Sequence, residues 1–214
     1  TGDVSVEDGD DDSLSGIENI TGTNFNDGDN NTIEDKITGN SLANTINGMA
    51  GDDSINAKAG EDLVRGGTGD DTIEGGDDND SLLGNDGADY LDGQNGDDKL
   101  DGGIGDDTLK GGTGTNQIIG NSGVDTVDYS GVTSVTVDLS DNTAQDVYGD
   151  ATAIDTISSV ENVIGSISSD EITGNALDNS LFGSGGKDTL YSSGADDILN
   201  GGAGDEDVAD YSNE

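Results

Sequence analysis

Gly66-Gly67-Thr68-Gly69-Asp70-Asp71-Thr72-Ile73-Glu74 is the stretch that decides the fold. Gly102 to Lys110 repeats it as Gly-Gly-Ile-Gly-Asp-Asp-Thr-Leu-Lys, and from Gly48 to Asp128 the chain divides without gaps into nine blocks of nine residues. The eighth position is apolar in every block, through Ile55, Val64, Ile73, Leu82, Leu91, Leu100, Leu109, Ile118 and Val127. The sixth is Asp at Asp53, Asp62, Asp71, Asp80, Asp89, Asp98, Asp107 and Asp125, with Asn116 the departure. The first is Gly except at Ala57, and the fourth is Gly except at Asp78. A fixed nine-residue period marks a repeat architecture, in which each unit buries its apolar face only by stacking on its neighbours.

Each position has a physical reading. Gly at positions one and four suits a turn that needs positive φ, where a Cβ is costly. Asp at position six sets a carboxylate at the end of that turn. The last three residues, such as Thr72-Ile73-Glu74, alternate polar, apolar, polar, so they predict a short strand with its middle side chain inward. Turn, strand, turn, strand makes one coil of a solenoid in eighteen residues. The eighth-position side chains of two facing sheets then fill a thin core.

Composition shows what such a coil lacks. The chain has 214 residues, of which only 29% are hydrophobic and 3% aromatic, with 37 Gly and no Pro, Trp, Cys or His. Six Lys and Arg face 48 Asp and Glu, for a formal charge of −42. Low hydrophobicity with high charge leaves too little buried apolar surface to offset ordering entropy, so folding calls for a neutralising partner. Carboxylates and carbonyls are hard oxygen ligands that suit Ca²⁺. The same charge repels nucleic-acid phosphates and anionic membranes. No apolar run approaches the roughly 18 residues of a membrane span, and Thr1 opens no hydrophobic segment of the kind that makes a secretory signal peptide.

The blocks resemble the Gly-Gly-x-Gly-x-Asp-x-apolar-x nonapeptides of the RTX (repeats-in-toxin) calcium-binding family. The resemblance implies an all-β fold, a parallel β-roll or β-solenoid with several Ca²⁺ ions held in turns stacked on the same side. Each ion is then expected to take Asp oxygens and backbone carbonyls from blocks two apart. Carried onto this chain, one row of ligands is Asp53, Asp71, Asp89, Asp107 and Asp125, and the other is Asp62, Asp80, Asp98 and Asn116. Ala57-Lys58 and Asp78 depart from the pattern and put their own turns in doubt.

The flanks keep the phase. Asn44 with Ile46 and Asp35 with Ile37 extend the pattern upstream. Downstream it returns as Asp170 with Ile172, Asn179 with Leu181, Asp188 with Leu190 and Asp197 with Leu199, and a last block places Glu206 at position six. Metal ligands are accordingly expected at Asp35, Asp170, Asp188, Asp197 and Glu206 as well. The expected organisation is a linking segment over 1–29, a first roll over 30–128, a β-rich linking segment over 129–164, a second roll over 165–209 and the start of another linking segment at 210–214. Val132 to Leu139 reads as a conventional alternating strand. Val127 and Ile172 lie 45 residues apart, five blocks of nine, which suits a solenoid running through in phase.

A longer repeat overlies the short one. Asp12 to Gly22 recurs as Asp155 to Gly165, and Asp128-Tyr129-Ser130 returns as Asp210-Tyr211-Ser212. These segments resemble those joining roll blocks in large secreted RTX exoproteins and surface-layer or adhesin proteins. The expectation is a calcium-binding extracellular structural module, cell-surface or secreted, exported by a bacterial type I system and self-associating or set in a tandem array. The alternative is the secretion and folding region of an RTX enzyme or toxin whose catalytic domain lies elsewhere. Zero His removes Ser-His-Asp triads and His zinc sites, so no catalysis is expected from these residues. An EF-hand at Asp8 to Asn19 fails because Ser13 stands where Gly is needed and Asn19 where the bidentate Glu belongs. Tyr129 is expected to close the end of a roll rather than to recognise a ligand.

Overall fold

A computed structural model describes residues 4–5, 12–13, 19–21, 36–146, 153–204 and 206–211. All described regular structure is β, arranged as two facing sheets of thirteen and ten strands. Consecutive strands alternate between the sheets, so each strand pairs in parallel with the one two steps on. Thr72–Asp77 lies between Ser54–Ala59 and Tyr90–Asn95 in one sheet. Leu63–Thr68 lies between Thr45–Ala50 and Ser81–Asp86 in the other. The register advances by eighteen residues per coil, with Ile55 on Ile73, Leu91 and Leu109, and Ile46 on Val64, Leu82 and Leu100. Parallel sheets suit a core covered on the inner face of both layers.

The core is the row of eighth-position side chains. Ile37 through Val127 are at most 1% exposed at every such position. The row continues through Ile157, Val163, Ile172, Leu181 and Leu190. It thins at the last described coil, where Leu199 is only partly buried.

The strands are longer than the three residues read from the pattern. Thr72–Asp77 and its neighbours run for six, through positions seven to nine and on into one to three of the next block. The turn proper is only positions four to six. Positive φ falls on positions two and four, not one and four: Gly67 at 135° and Gly69 at 119°, Gly103 at 119° and Gly105 at 133°. Where position two is not Gly, Met49, Lys58, Asn85, Gln94 and Asn121 take the same left-handed backbone. Lys58 and Asp78 therefore keep the turn geometry at some local strain rather than breaking it. Position one is Gly for a different reason. A Cβ on Gly66 or Gly84 would overlap the carboxylate of Asp71 or Asp89.

The interruption after Asp128 is absorbed inside the sheets. In the ten-stranded sheet Val127 pairs directly with Val163, thirty-six residues on, and Val163 pairs with Leu181 at the ordinary eighteen. The surplus of one coil length goes into the other sheet as two extra strands. Val135–Asp138 and Thr143–Asp146 form an antiparallel hairpin inserted between Ile154–Ser158 and Glu171–Thr173. Two coil lengths in place of one explain why the nine-residue phase survives from Val127 to Ile172.

Every core residue contacts only its own coil and the two beside it, so a cavity at one level is not relieved by rearrangement elsewhere. Leu100→Ala is expected to cost about 2–5 kcal/mol, read as a lowered urea midpoint of the folded chain in millimolar calcium. An unchanged midpoint would contradict this core.

Candidate metal centre

The sixth-position side chains form two ladders that bind coil to coil. In each, one carboxylate oxygen, Oδ1, accepts the backbone N–H of the sixth residue eighteen positions earlier. Asp71 accepts from Asp53 at 2.8 Å, Asp89 from Asp71 at 2.8 Å, Asp107 from Asp89 at 2.9 Å and Asp125 from Asp107 at 2.9 Å. On the opposite row Asp80 accepts from Asp62 at 2.8 Å, Asp98 from Asp80 at 2.8 Å and Asn116 from Asp98 at 3.0 Å. All of these side chains are buried.

The second oxygen is the chemically open one. Oδ2 of Asp62, Asp71, Asp80, Asp89, Asp98, Asp107, Asp125 and Asp188 is buried with no hydrogen-bond partner, as is Nδ2 of Asn116. A buried carboxylate oxygen without a donor is costly unless a cation completes it. The surroundings supply further oxygen. A Cβ on Gly84 would lie 2.2 Å from Asp89 Oδ2 and 2.6 Å from the carbonyl oxygen of Gly102 in the next coil, so both oxygens border that space. Gly93 repeats this with Asp98 and the Gly111 carbonyl, and Gly75 with Asp80 and the Gly93 carbonyl. Among the described residues no three His, Cys, Asp or Glu side chains gather into a cage. A cation here would be held by single carboxylates from stacked turns together with backbone carbonyls. That donor set is hard and all-oxygen, which fits Ca²⁺.

The electrostatics agree. Burial pushes the carboxyls of Asp71, Asp80, Asp98 and Asp107 up to about 7, against the pull of the backbone N–H each accepts, and stacked carboxylates raise them further. Burial likewise brings Asp62 and Asp89 to about 6 and raises Asp125 and Asp188. Without a cation these carboxyls take up a proton at higher pH than a solvated carboxylate does.

The remaining predicted residues divide. Asp170 is buried, but Ser166 occupies both its oxygens, with its N–H 2.6 Å from Oδ2 and its hydroxyl 2.8 Å from Oδ1. Asp197 Oδ2 accepts the Ser192 hydroxyl at 2.7 Å. Asp35 lies outside the described residues. Glu206 does not take the sixth seat: it projects outward and pairs with Lys187 at 3.1 Å. The seat belongs to Asp207, which accepts the N–H of Asp188 at 3.0 Å, because the last turn holds one extra residue. Two more occupants escape a strict count of nine. Asp155 accepts from Asn116 at 2.7 Å, and Glu161 accepts from Asp125 at 2.9 Å. A signal existed for all three. Each directly precedes a polar-apolar-polar or similar triplet whose middle residue aligns on the core row: Ile157, Val163 and Ala209. Tyr129 is buried and donates its hydroxyl to Asp155 Oδ2 at 3.1 Å, as expected of a residue that closes a turn.

Two outcomes follow. Groups whose folded pKa is raised stabilise the metal-free roll fully below their unfolded value near 3.8, and that contribution is lost as pH climbs through about 7. Metal-free chain should therefore gain β structure on acidification from pH 8 to pH 5, and apparent calcium affinity should fall over the same interval, because protons compete for the same oxygens. Circular dichroism and calcium titration at several pH values check both; a metal-free fold indifferent to pH would be inconsistent with ionisable open oxygens. Secondly, Asp71→Ala should lower calcium affinity at least about tenfold, the equivalent of 1.4 kcal/mol. Asp52→Ala should lower it much less, since Asp52 stands at position five, where its carboxylate only accepts the Asp70 N–H. Equal losses by calorimetry would place the ligand register elsewhere.

Comparison with known families agrees with this geometry. The family described as RTX calcium-binding nonapeptide repeat (4 copies) matches residues 28–64, 38–73, 65–100, 74–109, 101–131 and 173–205. No curated protein matches the chain. The matched stretches contain every turn from Asp53 to Asp125 together with those of Asp188 and Asp197, and they cover well over half of the sequence. The chain belongs to the RTX calcium-binding nonapeptide repeat family.

Proposed function

We propose that this chain is an extracellular, calcium-folded structural module, a length of surface layer, adhesin stalk or filament in which the roll itself is the working part. The observation that carries the reading is the unbroken run of buried, donor-less carboxylate oxygens from Asp62 to Asp107. Bound calcium supplies positive charge between stacked turns, and the chain does the rest. Asp Oδ1 ties each coil to the one before it, glycine at position one leaves the carboxylate room, and the eighth-position row closes the core. The repeats are structural rather than catalytic, in keeping with the family. No helix among the described residues is long and apolar enough to cross a membrane.

The family supports a secreted setting. There, millimolar calcium would let the chain remain unfolded before export and fold after it, and a type I export route suits a chain that folds only outside. Tandem arrangement of like modules is supported by the long repeat of Asp12 to Gly22 in Asp155 to Gly165. The organisation proposed for the parent is roll blocks over 30–128 and 165–209 separated by linking segments. The second reading, a folding and secretion appendage of an enzyme or toxin, uses the same calcium chemistry and is favoured if a hydrolase domain precedes these residues in the parent chain.

In EGTA at moderate ionic strength the chain should give a largely disordered far-UV spectrum. It should become β-rich in millimolar Ca²⁺, with light scattering rising as units associate. A β-rich spectrum in EGTA at neutral pH would refute calcium-dependent folding; a strictly monomeric chain in saturating calcium would remove stacking and leave only covalent tandem arrangement.

A further inference from the structure

The turns are of two kinds, and the second residue sorts them. Where that residue is left-handed, as at Gly67, Asn85, Gly103 and Ser184, the carboxylate Oδ2 at position six has no partner. Where it is not left-handed, its N–H turns inward and closes the site. Ser166 N–H donates to Asp170, Asn175 N–H to Asn179 at 2.7 Å, and Asn40 N–H to Asn44 at 2.9 Å. At Asn179 the amide also supplies the missing donor, with Nδ2 2.8 Å from the Glu161 carbonyl in the preceding coil. Asp155 is closed by the Tyr129 hydroxyl instead. The closed turns from Asp155 to Asn179 cluster around the hairpin, where further apolar side chains are buried. Val132, Val135, Val137, Leu139, Ala144 and Val160 are buried there in addition to the ordinary core row.

We propose that calcium loads only the turns with a left-handed second residue, and that the coils of residues 132–146 and 153–182 fold without it, forming a metal-independent seed on which the calcium-loaded coils stack. This rests on the calcium reading above and adds a division of labour to it. Tyr129, Ser166 and the asparagine amides stand where a cation stands elsewhere. The antiparallel hairpin supplies short-range contacts that need no loop closure over a distance.

Amide hydrogen exchange of the whole chain at pH 7.5, read by mass spectrometry on peptic fragments, tests it. In EGTA, fragments within 132–182 should exchange at least about tenfold more slowly than an unstructured chain, while fragments within 54–128 exchange as unstructured; in millimolar Ca²⁺ both should be protected. Asn179→Asp, which removes the amide donor to the Glu161 carbonyl, and Tyr129→Phe, which removes the hydroxyl on Asp155, should each reduce the protection of 132–182 in EGTA and leave the calcium-saturated protection of 54–128 intact. If both regions are unprotected in EGTA and both are protected by calcium, the calcium reading stands and the seed is overturned. If both are protected in EGTA and calcium changes neither, both ideas fall. EGTA protection of 132–182 that neither substitution alters would overturn the role given to the side-chain closures.

Discussion

Everything in this molecule depends on one side chain used twice: the sixth-position carboxylate. Its Oδ1 is spent within the protein, accepting an N–H from the coil before. Its Oδ2 is buried with nothing to accept from. The first bond alone would tie coils together at modest net gain. The second oxygen makes each open turn a liability that a cation or a proton removes.

That double use explains features that otherwise look like loose composition. The first glycine is there to make room for the carboxylate, since a Cβ would overlap it. The fourth glycine is a backbone requirement, with φ of 119° at Gly69 and 133° at Gly105, reinforced by close approach to the coil below, where a Cβ on Gly69 or Gly105 would meet the carbonyl of Gly51 or Gly87. One inward apolar residue per block is joined in holding the coils together by the backbone ladders and by the Oδ1 bonds between stacked turns.

The solenoid also tolerates interruption in a specific way. A two-stranded insertion enters one sheet while the other sheet closes over it by pairing Val127 with Val163. The inserted length is close to one coil, so the apolar row resumes in register. The same region exchanges open carboxylates for hydroxyl and amide closures, and gains β-branched packing as it does so.

The sequence by itself determined the repeat, the two rows of sixth-position residues and the core row, because a period of nine with one invariant apolar position admits few other arrangements. It also determined that a cation is needed, since 48 acidic residues face six basic ones. The tertiary structure alone decided which turn residues are left-handed, because Gly at position one and Gly at position two look alike in sequence, whereas only position two takes positive φ and position one is Gly to leave room for the carboxylate. It showed that Asp207 rather than Glu206 takes the last seat, through the bond to Asp188, where a strict count of nine points to Glu206. Above all it separated open from closed carboxylates. Asp170 and Asp188 occupy the same place in the pattern, but one meets the amide and hydroxyl of Ser166 and the other an unpartnered space. That difference arises from the backbone direction of a residue four positions away, which pattern does not encode and three-dimensional contact does.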